Sequence, residues 1–439
     1  MANFQALHDA NNPQNIPQAD NVSASGLIAA GGSPLILQPG ATDAIQTSFA
    51  DGTQNGGSPR GDYATDFQRH RSNAAHVAGG DNSVVGGGEN NRASATHSTV
   101  AGGLENHVTN DYGTIAGGRG NDVQQTYGTI GGGQDNVCET GHNTIAGGDD
   151  NRTQGTAATV GGGANNDCGG AWSVIAGGQS NQVINQWCTI AGGKSNLIKF
   201  TSSYSTIAGG ESNKIETGEH STISGGFDND IVDGKYNVVG GGDSNSILNS
   251  SAHSVIAGGN ENTVNDSKKA FVVGDRNFAV GADNAVVTGK QAKSVLEGQR
   301  AHANGQFAEA GDAQSFDIVL RRQTTDASAK ALLLDGSSLS IEMPENSSWV
   351  FNALVTALKS DGSQAAAYRL VGGLRRDGAA NPVLVGSVLV TVIGEDDPTW
   401  DCVFNISGAN PRFVVNGAAS TTINWVCDWR VVQTIVSGT

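Results

Sequence analysis

The chain has 439 residues, of which 63 are glycine, only 5% are aromatic and 15% are charged, and its formal net charge is −17. The length allows two or three domains, but the composition excludes an ordinary globular enzyme over most of the chain. The negative charge argues against nucleic acid or an anionic membrane as a partner. No signal peptide and no segment able to cross a membrane is recognised in the sequence.

The first 73 residues are polar, rich in Gly, Pro, Gln, Asn and Asp, and punctuated by prolines. Such a segment folds poorly alone and is expected to become ordered on a larger body. We interpret residues 1–73 as an attachment segment, with a disordered tail as the alternative. Its last part, Thr65 to Asn73, is basic and is expected to cap the region that follows, because the ends of stacked β-structures need covering.

Residues 74–270 repeat a short phrase, seen cleanly in residues 143–151 as Asn-Thr-Ile-Ala-Gly-Gly-Asp-Asp-Asn. The closing asparagine recurs at seven steps of 15 residues and then at steps of 17, 16, 16, 17 and 15. A short period with one or two residues of slip predicts a stacked solenoid, in which each repeat is a β-coil rung and not a pair of helices. The repeated asparagines are Asn91, Asn106, Asn121, Asn136, Asn151, Asn166, Asn181, Asn196, Asn213, Asn229, Asn245, Asn262 and Asn277.

Each rung is predicted to contain two short strands joined by turns. The third position of the phrase is almost always Ile or Val, as in Ile145, and a second apolar residue follows the asparagine, as in Val183. β-Branched residues favour strands, and alternation places both positions on one face, so stacked rungs should form two facing ladders. The Gly-Gly pair marks a corner, and the asparagine is expected to bond its own turn and its copies in adjacent rungs.

The thin core predicts self-association. One Ile and one Val per rung bury little apolar surface compared with the entropy lost in ordering a whole rung. The residues that flank the core position, such as Thr144 and Ala146, form a second face of small side chains. A smooth, repeated face suits packing against copies of the chain about a symmetry axis. We therefore predict a homotrimer, with a single-chain β-helix as the alternative.

The pattern changes after residue 270. Residues 271–311 keep an apolar-apolar-Gly beat at closer spacing and are interpreted as a narrowing transition. Residues 312–439 contain several strand-like runs separated by turn signals, together with four of the six tryptophans of the chain. This combination predicts a C-terminal antiparallel β-sandwich.

The candidate catalytic groups are carboxylates in the variable turn positions just before the repeated asparagines. They are Asp149, Asp150, Glu211, Asp228 and Asp243. A suitably spaced pair would hydrolyse sugar, but residues in these positions change from rung to rung, which favours a solvated edge. We therefore expect no catalytic residue and no enzymatic activity. The His and Cys residues lack ligand spacing, so no metal or cofactor is expected, and the sequence leaves open whether Cys402 and Cys427 pair.

The repeats carry a resemblance to a known family. Phrases such as Ser-Val-Ile-Ala-Gly-Gly-Gln-Ser-Asn at residues 173–181 resemble the head repeats of trimeric autotransporter adhesins, and resemble still more the related repeats of phage tail fibres and tailspikes. The sequence from Asp312 onward is similar to C-terminal domains that follow such repeats in phage proteins. The resemblance covers about half the chain and implies a left-handed trimeric β-roll that adheres to a cell surface.

We therefore expect a phage tail fibre or tailspike, made in the host cytoplasm and carried on the virion tail. Residues 1–73 would bind tail or baseplate proteins, and residues 312–439 would bind a host glycan or an outer-membrane protein, assemble the trimer, or both. Aromatic rings stack on sugars, so Trp349, Tyr368 and Trp400 are the expected receptor contacts, with the sandwich core as the alternative place for each Trp. The alternative functions are a polysaccharide-depolymerising tailspike and a bacterial surface adhesin. Neither nucleic acid binding nor membrane insertion is expected.

Overall fold

A computed structural model describes residues 57–68 and 70–436, together with the antiparallel pairing of two short strands, Ile36–Leu37 and Ile45–Gln46. The regular secondary structure of these residues consists of β-strands, which confirms the predicted all-β class. The predicted attachment segment, residues 1–73, lies largely outside the described residues.

The chain divides into two compact units, residues 1–194 and residues 195–439. In the first unit the repeats form the predicted stacked rungs, with two parallel sheets. Equivalent residues pair in register, so Ile130 is the partner of both Ile115 and Ile145. The strands of one sheet are Thr65–Asp66, Val84–Val85, Thr99–Val100, Thr114–Ile115, Thr129–Ile130, Thr144–Ile145, Thr159–Val160, Val174–Ile175 and Thr189–Ile190. Those of the other sheet are Arg92–Ala93, His107–Val108, Asp122–Val123, Val137–Cys138, Arg152–Thr153, Asp167–Cys168 and Gln182–Val183.

Two columns of buried side chains fill the first unit. One is the Ile/Val position of the phrase, and the other is the position two residues after the asparagine, where Val123 is fully buried. The second column also contains Cys138, Thr153 and Cys168, whose small buried side chains stand where valine stands elsewhere. Burial raises the pKa of the Cys138 thiol to about 11 and that of Cys168 to about 12, so both thiols are neutral at physiological pH.

The repeated asparagines form a third buried column. The side-chain amide of Asn136 donates to the carbonyl oxygens of Gly132 and Gly148, each at 3.0 Å. Its Oδ1 accepts the backbone N–H of Asn151 at 3.0 Å, and the same bond recurs one rung further on. Every asparagine of the predicted set is fully buried. The amide therefore bonds Gly132 O and adds a second hydrogen bond to Gly148 O, which also accepts the backbone N–H of Gln134 at 2.8 Å.

A buried charged cluster lies at the start of the described rungs. Asp66 stands in the apolar column and accepts bonds from Arg60 at 2.9 Å and from Arg71 at 3.0 Å. The Oε1 atom of Gln68 accepts the backbone N–H of Asn91 at 2.9 Å, as a preceding asparagine does elsewhere in the column. These polar side chains thus take the places of column residues in the first described rung, and the predicted role of this segment as a cap stays a prediction.

The second unit begins with rungs of the same kind. Its core columns include Ile223 and Ile231, and the backbone N–H of Asn229 donates to Asn213 Oδ1 at 3.1 Å. The strands of one sheet are Thr206–Ile207, Thr222–Ile223, Val238–Val239, Val255–Asn260, Phe271–Asp275, Val286–Lys290 and Arg300–Asn304. Those of the other sheet are Leu197–Ile198, Lys214–Thr217, Asp230–Asp233, Ser246–Leu248, Thr263–Asn265, Phe278–Val280 and Lys293–Ser294.

Residues 271–304 continue the rungs instead of narrowing them. Val287 pairs with Val272 on one side and with Ala301 on the other, within strands of five residues. The apolar-Gly pairs are closely spaced because they alternate between the two sheets of one rung. Val273-Gly274 lies in a strand of one sheet, and Val280-Gly281 lies at the end of a strand of the other. The last rung strand then pairs antiparallel with the first strand of the C-terminal sheets.

The C-terminal part of the second unit forms two antiparallel sheets, as the sequence predicted. The strands of the larger sheet, in spatial order, are Ala313–Thr324, Ile423–Ile435, Ser347–Lys359, Ala365–Arg376 and, beside the last of these, Val383–Leu384 and Leu389–Glu395. The strands of the smaller sheet are Lys330–Ala331, Asn410–Asn416 and Asp401–Ser407.

Aromatic residues fill the space between these two sheets. Trp349 and Trp429 of the larger sheet meet edge to face, with ring centroids 5.7 Å apart. Phe413 of the smaller sheet packs edge to face on Trp429 at 5.1 Å. Cys402 and Cys427 are both free, buried thiols, and burial raises the pKa of Cys402 to about 12. The core of this region is therefore held by unlike large side chains and not by repeated small ones.

Candidate functional site

The aromatic residues expected to touch a receptor lie in the core of the C-terminal sheets. Trp349, Tyr368 and Trp400 each expose 2% or less of their surface. The indole N–H of Trp349 donates to Gln433 Oε1 at 2.9 Å, and the Tyr368 hydroxyl donates to Glu395 Oε2 at 3.1 Å. These three rings are therefore used in packing and are not exposed at the surface.

The carboxylates weighed as catalytic candidates occupy turns beside the asparagine column. Asp150 and Asp228 adopt left-handed backbone conformations, with φ of 53° and 52°. Asp149, Glu211 and Asp243 stand one position earlier, where residues of successive rungs form isolated β-bridges. Turn geometry sets the place of each of these acids, as expected of a variable, solvated edge.

Charged side chains gather instead on the outer face of one sheet in the second unit. Lys214 and Asp230 are direct partners on neighbouring strands, and Glu216 follows Lys214 by two residues on the same face. The Lys214 ammonium bonds Glu216 and lies 3.9 Å from Asp230 Oδ2. Lys199, from the preceding rung, donates to Glu216 Oε1 at 2.7 Å. These four side chains, which are all partly exposed, form the acid–lysine cluster.

The two carboxyl groups of the acid–lysine cluster lie close together in different environments. Because both approach Lys214 Nζ, their nearest oxygens lie no more than about 6 Å apart, which is compatible with the spacing of about 5 to 5.5 Å in retaining glycosidases. Hydrogen bonds from Lys199 and Lys214 lower the pKa of Glu216. Burial raises the pKa of Asp230, whose Oδ1 is buried with no hydrogen-bond partner among the described residues. The pKa values of the two carboxyl groups are therefore shifted in opposite directions by their surroundings.

Sequence reasoning missed this cluster because it searched the turns and not the strands. Lys199, Lys214, Glu216 and Asp230 directly flank core isoleucines, so strand alternation turns all four outward. The available signal was the pair of segments Lys-Ile-Glu at 214–216 and Asp-Ile at 230–231, which bring opposite charges to the same face of consecutive rungs.

Exposed aromatic side chains form a second feature, at the corner that follows this sheet. In the second unit, Tyr204, His220, Tyr236 and His253 stack face to face, with centroid distances of 4.8 to 5.0 Å. Each has a left-handed backbone conformation, which directs its side chain outward from the turn. The ring spacing equals the spacing of stacked strands, because each rung contributes one ring.

The first unit carries the same feature at the equivalent corner. Its aromatic column consists of His97, Tyr112, Tyr127, His142, Trp172 and Trp187. The first four rings stack at 4.8 to 5.0 Å, and the two tryptophans stack at 5.2 Å. Sequence reasoning missed both columns because His, Tyr and Trp alternate at these positions and do not spell one repeated residue.

A pocket lies within the second unit, between its last rung and its C-terminal sheets. The lining includes Lys293, Glu309, Asp312 and Glu342. Asp312 accepts three backbone N–H groups of the preceding turn, and Glu342 bonds Arg376 at 3.0 Å. These two carboxylates hold the local structure, so the acid–lysine cluster is the stronger candidate for chemistry.

Two kinds of feature are absent from the described part of the chain. Residues 57–68 and 70–436 contain no group of three or more His, Cys, Asp and Glu side chains placed to hold a metal ion. Within the same ranges, no helix has the length and apolar character needed to cross a membrane.

Comparison with known proteins finds solved structures of low similarity. No family model and no curated protein matches the chain. Among solved structures, the tailspike protein of Acinetobacter baumannii bacteriophage Fri1, described as a capsular polysaccharide depolymerase, is 8% identical and has a TM-score of 0.23, covering 88% of this chain and 79% of that chain. The tailspike of Acinetobacter phage vB_ApiP_P1 is also 8% identical at a TM-score of 0.23, with 91% and 81% covered. For the tailspike of Acinetobacter baumannii phage AM24 the values are 8%, 0.23, 92% and 78%.

These comparisons correct one expectation. We expected from the sequence that the chain is not an enzyme, whereas the Fri1 tailspike is described as a depolymerase. That expectation rested on the turn carboxylates and left out Glu216 and Asp230, which lie on strands. The adhesin-like character of the repeats stays a prediction.

Proposed function

We propose that this protein is a phage tailspike that binds a polysaccharide of the host surface and cleaves it at the acid–lysine cluster. The observation that carries the proposal is the pair formed by Glu216 and Asp230, two carboxyl groups close enough on a partly exposed sheet face to act on one glycosidic bond. The aromatic column of the second unit follows these strands, with His220 four residues beyond Glu216. A glycan lying on this face would therefore also meet the edges of stacked rings.

Glycosidic cleavage needs one proton donor and one anionic carboxylate. Asp230, whose pKa is raised by burial, is assigned as the acid, and it would donate its proton to the leaving oxygen as the bond to the anomeric carbon breaks. Glu216 is the anionic group, and it would act on the anomeric carbon directly or through a water that it deprotonates. Lys199 and Lys214 orient Glu216 and favour its charged form.

Substitution of the pair tests the proposal. Glu216→Gln removes the anionic carboxylate and Asp230→Asn removes the proton donor, each with little change in side-chain shape. Each is expected to slow the release of reducing ends from purified host capsular polysaccharide by about 100-fold or more. Asp243→Asn, at an exposed turn of the same unit, is the matched control and is expected to cleave at the wild-type rate. Wild-type rates for both pair variants would refute the assigned site.

The opposed pKa shifts also predict a bell-shaped dependence of the cleavage rate on pH. As pH falls through the lowered pKa of Glu216, this group gains a proton and the rate decreases. As pH rises through the raised pKa of Asp230, this group loses its proton and the rate decreases again. A wild-type rate that stays constant on the alkaline side would argue against Asp230 as the acid.

We also propose that the protein is a homotrimer, supported by apolar surface on the C-terminal sheets. Val350 and Val432 are partners on the outer face of the larger sheet and are 60% and 62% exposed. Leu354 and Leu358 lie on the same face, and the strand Leu389–Glu395 is exposed along its whole length. Copies of the chain packed on this surface would remove it from water.

Sedimentation measures this assembly. Val432→Lys places a charge on the outer face and is expected to shift the protein from trimer to monomer. Val403→Lys changes an exposed valine of the smaller sheet and is expected to leave the trimer intact. A monomeric wild-type protein would contradict the proposal.

Residues 1–73 are proposed to bind tail or baseplate proteins and so to place the protein on the virion tail. The proposal is supported by the polar composition of the segment and its position ahead of the rungs. Phage that encode a chain without residues 1–56 are expected to assemble particles that lack the protein, as detected by immunoblot of purified virions. Normal incorporation would show that attachment uses another part of the chain.

A further inference from the structure

The aromatic column of the first unit contains one interruption. The residue at the column position between His142 and Trp172 is Ala157. Its backbone N–H donates to Gly141 O at 3.0 Å, and that of Trp172 donates to Thr156 O at 2.9 Å. The left-handed φ of Ala157, 56°, matches the 63° of His142 and the 53° of Trp172. The corner therefore continues unchanged through this rung, and only the ring is missing.

The missing ring leaves two aromatic faces opposite each other. Ring neighbours elsewhere in this column cover each other at 4.8 to 5.2 Å. Across Ala157, His142 and Trp172 are two rungs apart, or about 10 Å from ring to ring. The exposed fraction of Trp172, 53%, exceeds the 40% of its stacked neighbour Trp187. The gap is therefore open to solvent and bounded by ring faces, whereas the rest of the column offers only ring edges.

The residues beside the gap are small on one side, where Thr156 precedes Ala157 and the neighbouring rungs carry Gly141 and Ala171. Gly141 and Ala171 precede His142 and Trp172, at a position where other rungs of this unit carry Asp111, Thr126 or Gln186. The backbone does not demand glycine there, because a Cβ on Gly141 would come no closer to its neighbours than 3.4 Å, from Thr126 O. The strands that follow this corner turn Thr144 and Thr159 outward, two residues after His142 and Ala157. Ring faces, an open approach and neighbouring hydroxyl groups thus occur together at one place.

We propose that the gap between His142 and Trp172 is a binding subsite for one pyranose ring of a polysaccharide chain. The C–H bonds on the two sides of a saturated sugar ring carry partial positive charge and are attracted to the negative faces of aromatic rings. A pyranose ring is puckered and thicker than an aromatic ring, so it fills a space of about 10 Å between ring planes with contact on both sides. Nucleic acid bases are disfavoured because the chain carries a net charge of −17 and would repel their phosphates.

The subsite deepens the proposed function and rests on it, because it assumes that the ligand is the host polysaccharide. It lies on the first unit, whereas the acid–lysine cluster lies on the second. Substitutions can therefore change the gap without touching the cluster, so binding and cleavage can be measured separately. The Glu216→Gln variant serves as the binding form, since it is expected to hold polysaccharide without consuming it.

Filling the gap tests the inference. In the Glu216→Gln background, Ala157→Tyr completes the column, and a tyrosine is compatible with this corner because Tyr112 and Tyr127 occupy it in other rungs with φ of 59° and 60°. We expect this change to weaken binding of host polysaccharide fragments by at least about tenfold, as measured by calorimetry. Trp172→Ala removes one face and is expected to weaken binding to a similar extent.

The control and the alternative outcomes separate this inference from the proposed function. Ala164→Tyr adds the same ring at a turn of the same unit where other rungs carry Leu104, Arg119 or Gln134, and it is expected to bind like the parent. Equal affinity of the Ala157→Tyr variant and its parent, with wild-type cleavage intact, would overturn the subsite alone. A wild-type protein that neither binds nor cleaves host polysaccharide would overturn the proposed function and the subsite together.

Discussion

The rungs of the first unit and the C-terminal sheets of the second are both built from β-strands, but their cores differ in kind. In the rungs, a core residue packs on its own equivalents, as Ile130 does between Ile115 and Ile145. In the C-terminal sheets, a core residue has unlike neighbours, as Trp429 has in Trp349 and Phe413. Because the rungs repeat, their stability depends mainly on the backbone conformation at the corner. In the C-terminal sheets, where neighbours are unlike, stability depends mainly on the shapes of the side chains.

The largest effect is expected from removing a ring of the C-terminal core. Trp429 is fully buried between the two sheets, so Trp429→Ala should lower the free energy of unfolding by about 3 to 5 kcal/mol through lost contacts and a residual cavity. Denaturant unfolding, with hydrogen exchange to locate the loss in residues 313–435, measures this change. Trp172→Ala, at an exposed ring of the rungs, should cost less than about 1 kcal/mol. Equal losses of stability for the two variants would contradict this difference between the C-terminal core and the rungs.

A change of one methyl group at a glycine corner should have the next largest effect. Gly178 has a φ of 93°, and a Cβ there would overlap the carbonyl oxygen of Gly193. We expect Gly178→Ala to lower the free energy of unfolding by about 3 kcal/mol, from backbone strain and displacement of the next rung. A Cβ on the adjacent Gly177 would meet nothing within 4 Å. Gly177→Ala is the matched control, and a large cost there would show that the corner tolerates no side chain at either position.

Loss of one asparagine amide should cost somewhat less. Asn136→Ala removes the side-chain partner of the Gly132 carbonyl oxygen and of the Asn151 backbone N–H, and leaves the Gly148 carbonyl oxygen with only the backbone N–H of Gln134. We expect a loss of about 2 to 3 kcal/mol in the free energy of unfolding, because these groups are buried. Gln125→Ala removes an exposed amide of the same rung region and should change stability little. If thermal unfolding shows the two variants to be alike, the asparagine column adds nothing beyond the strands.

The smallest expected effect is a gain. The hydroxyl of Thr153 is buried in the Val/Cys column, where its partners are weak: Val137 O at a long 3.5 Å and the Cys138 thiol. Thr153→Val keeps the shape and removes a poorly satisfied polar group, so the free energy of unfolding should rise by up to about 1 kcal/mol. Thr144→Val, on the outer face of the rung, should leave the denaturation midpoint unchanged. A clear loss of stability in the Thr153→Val variant would show that its hydroxyl is a needed part of the column.

The same contrast explains what the sequence could predict. The core position of Ile145 and the corner position of Asn136 recur in many rungs, so each copy confirms the others. The strand that contains Trp349 is apolar on both of its faces, with Phe351 inward and Val350 outward, so alternation alone did not show which face is covered. Repetition therefore predicts the rungs in detail, while the orientation of the C-terminal strands depends on their packing.

The candidate site was hidden for a related reason. Glu216 and Asp230 are 14 residues apart in sequence and become neighbours only because the rungs place Lys214 opposite Asp230. Asp66 is a similar case, since its burial in the apolar column depends on Arg60 and Arg71 reaching it from both sides in sequence. The role of a polar residue that departs from the repeat can be inferred only when the register of the strands is known.

The asparagine column has a consequence for how such a chain changes length in evolution. Asn136 and Asn151 make the same bonds to the rung before and the rung after, so the residues between them form an interchangeable cassette. Excising residues 137–151 would join Asn136 directly to Arg152. The side-chain amide of Asn136 would then bond the next corner in the place of the Asn151 amide. Genetic gain or loss of whole cassettes can therefore lengthen or shorten the array without disturbing its hydrogen bonding, whereas insertions of other sizes must loop out at a turn.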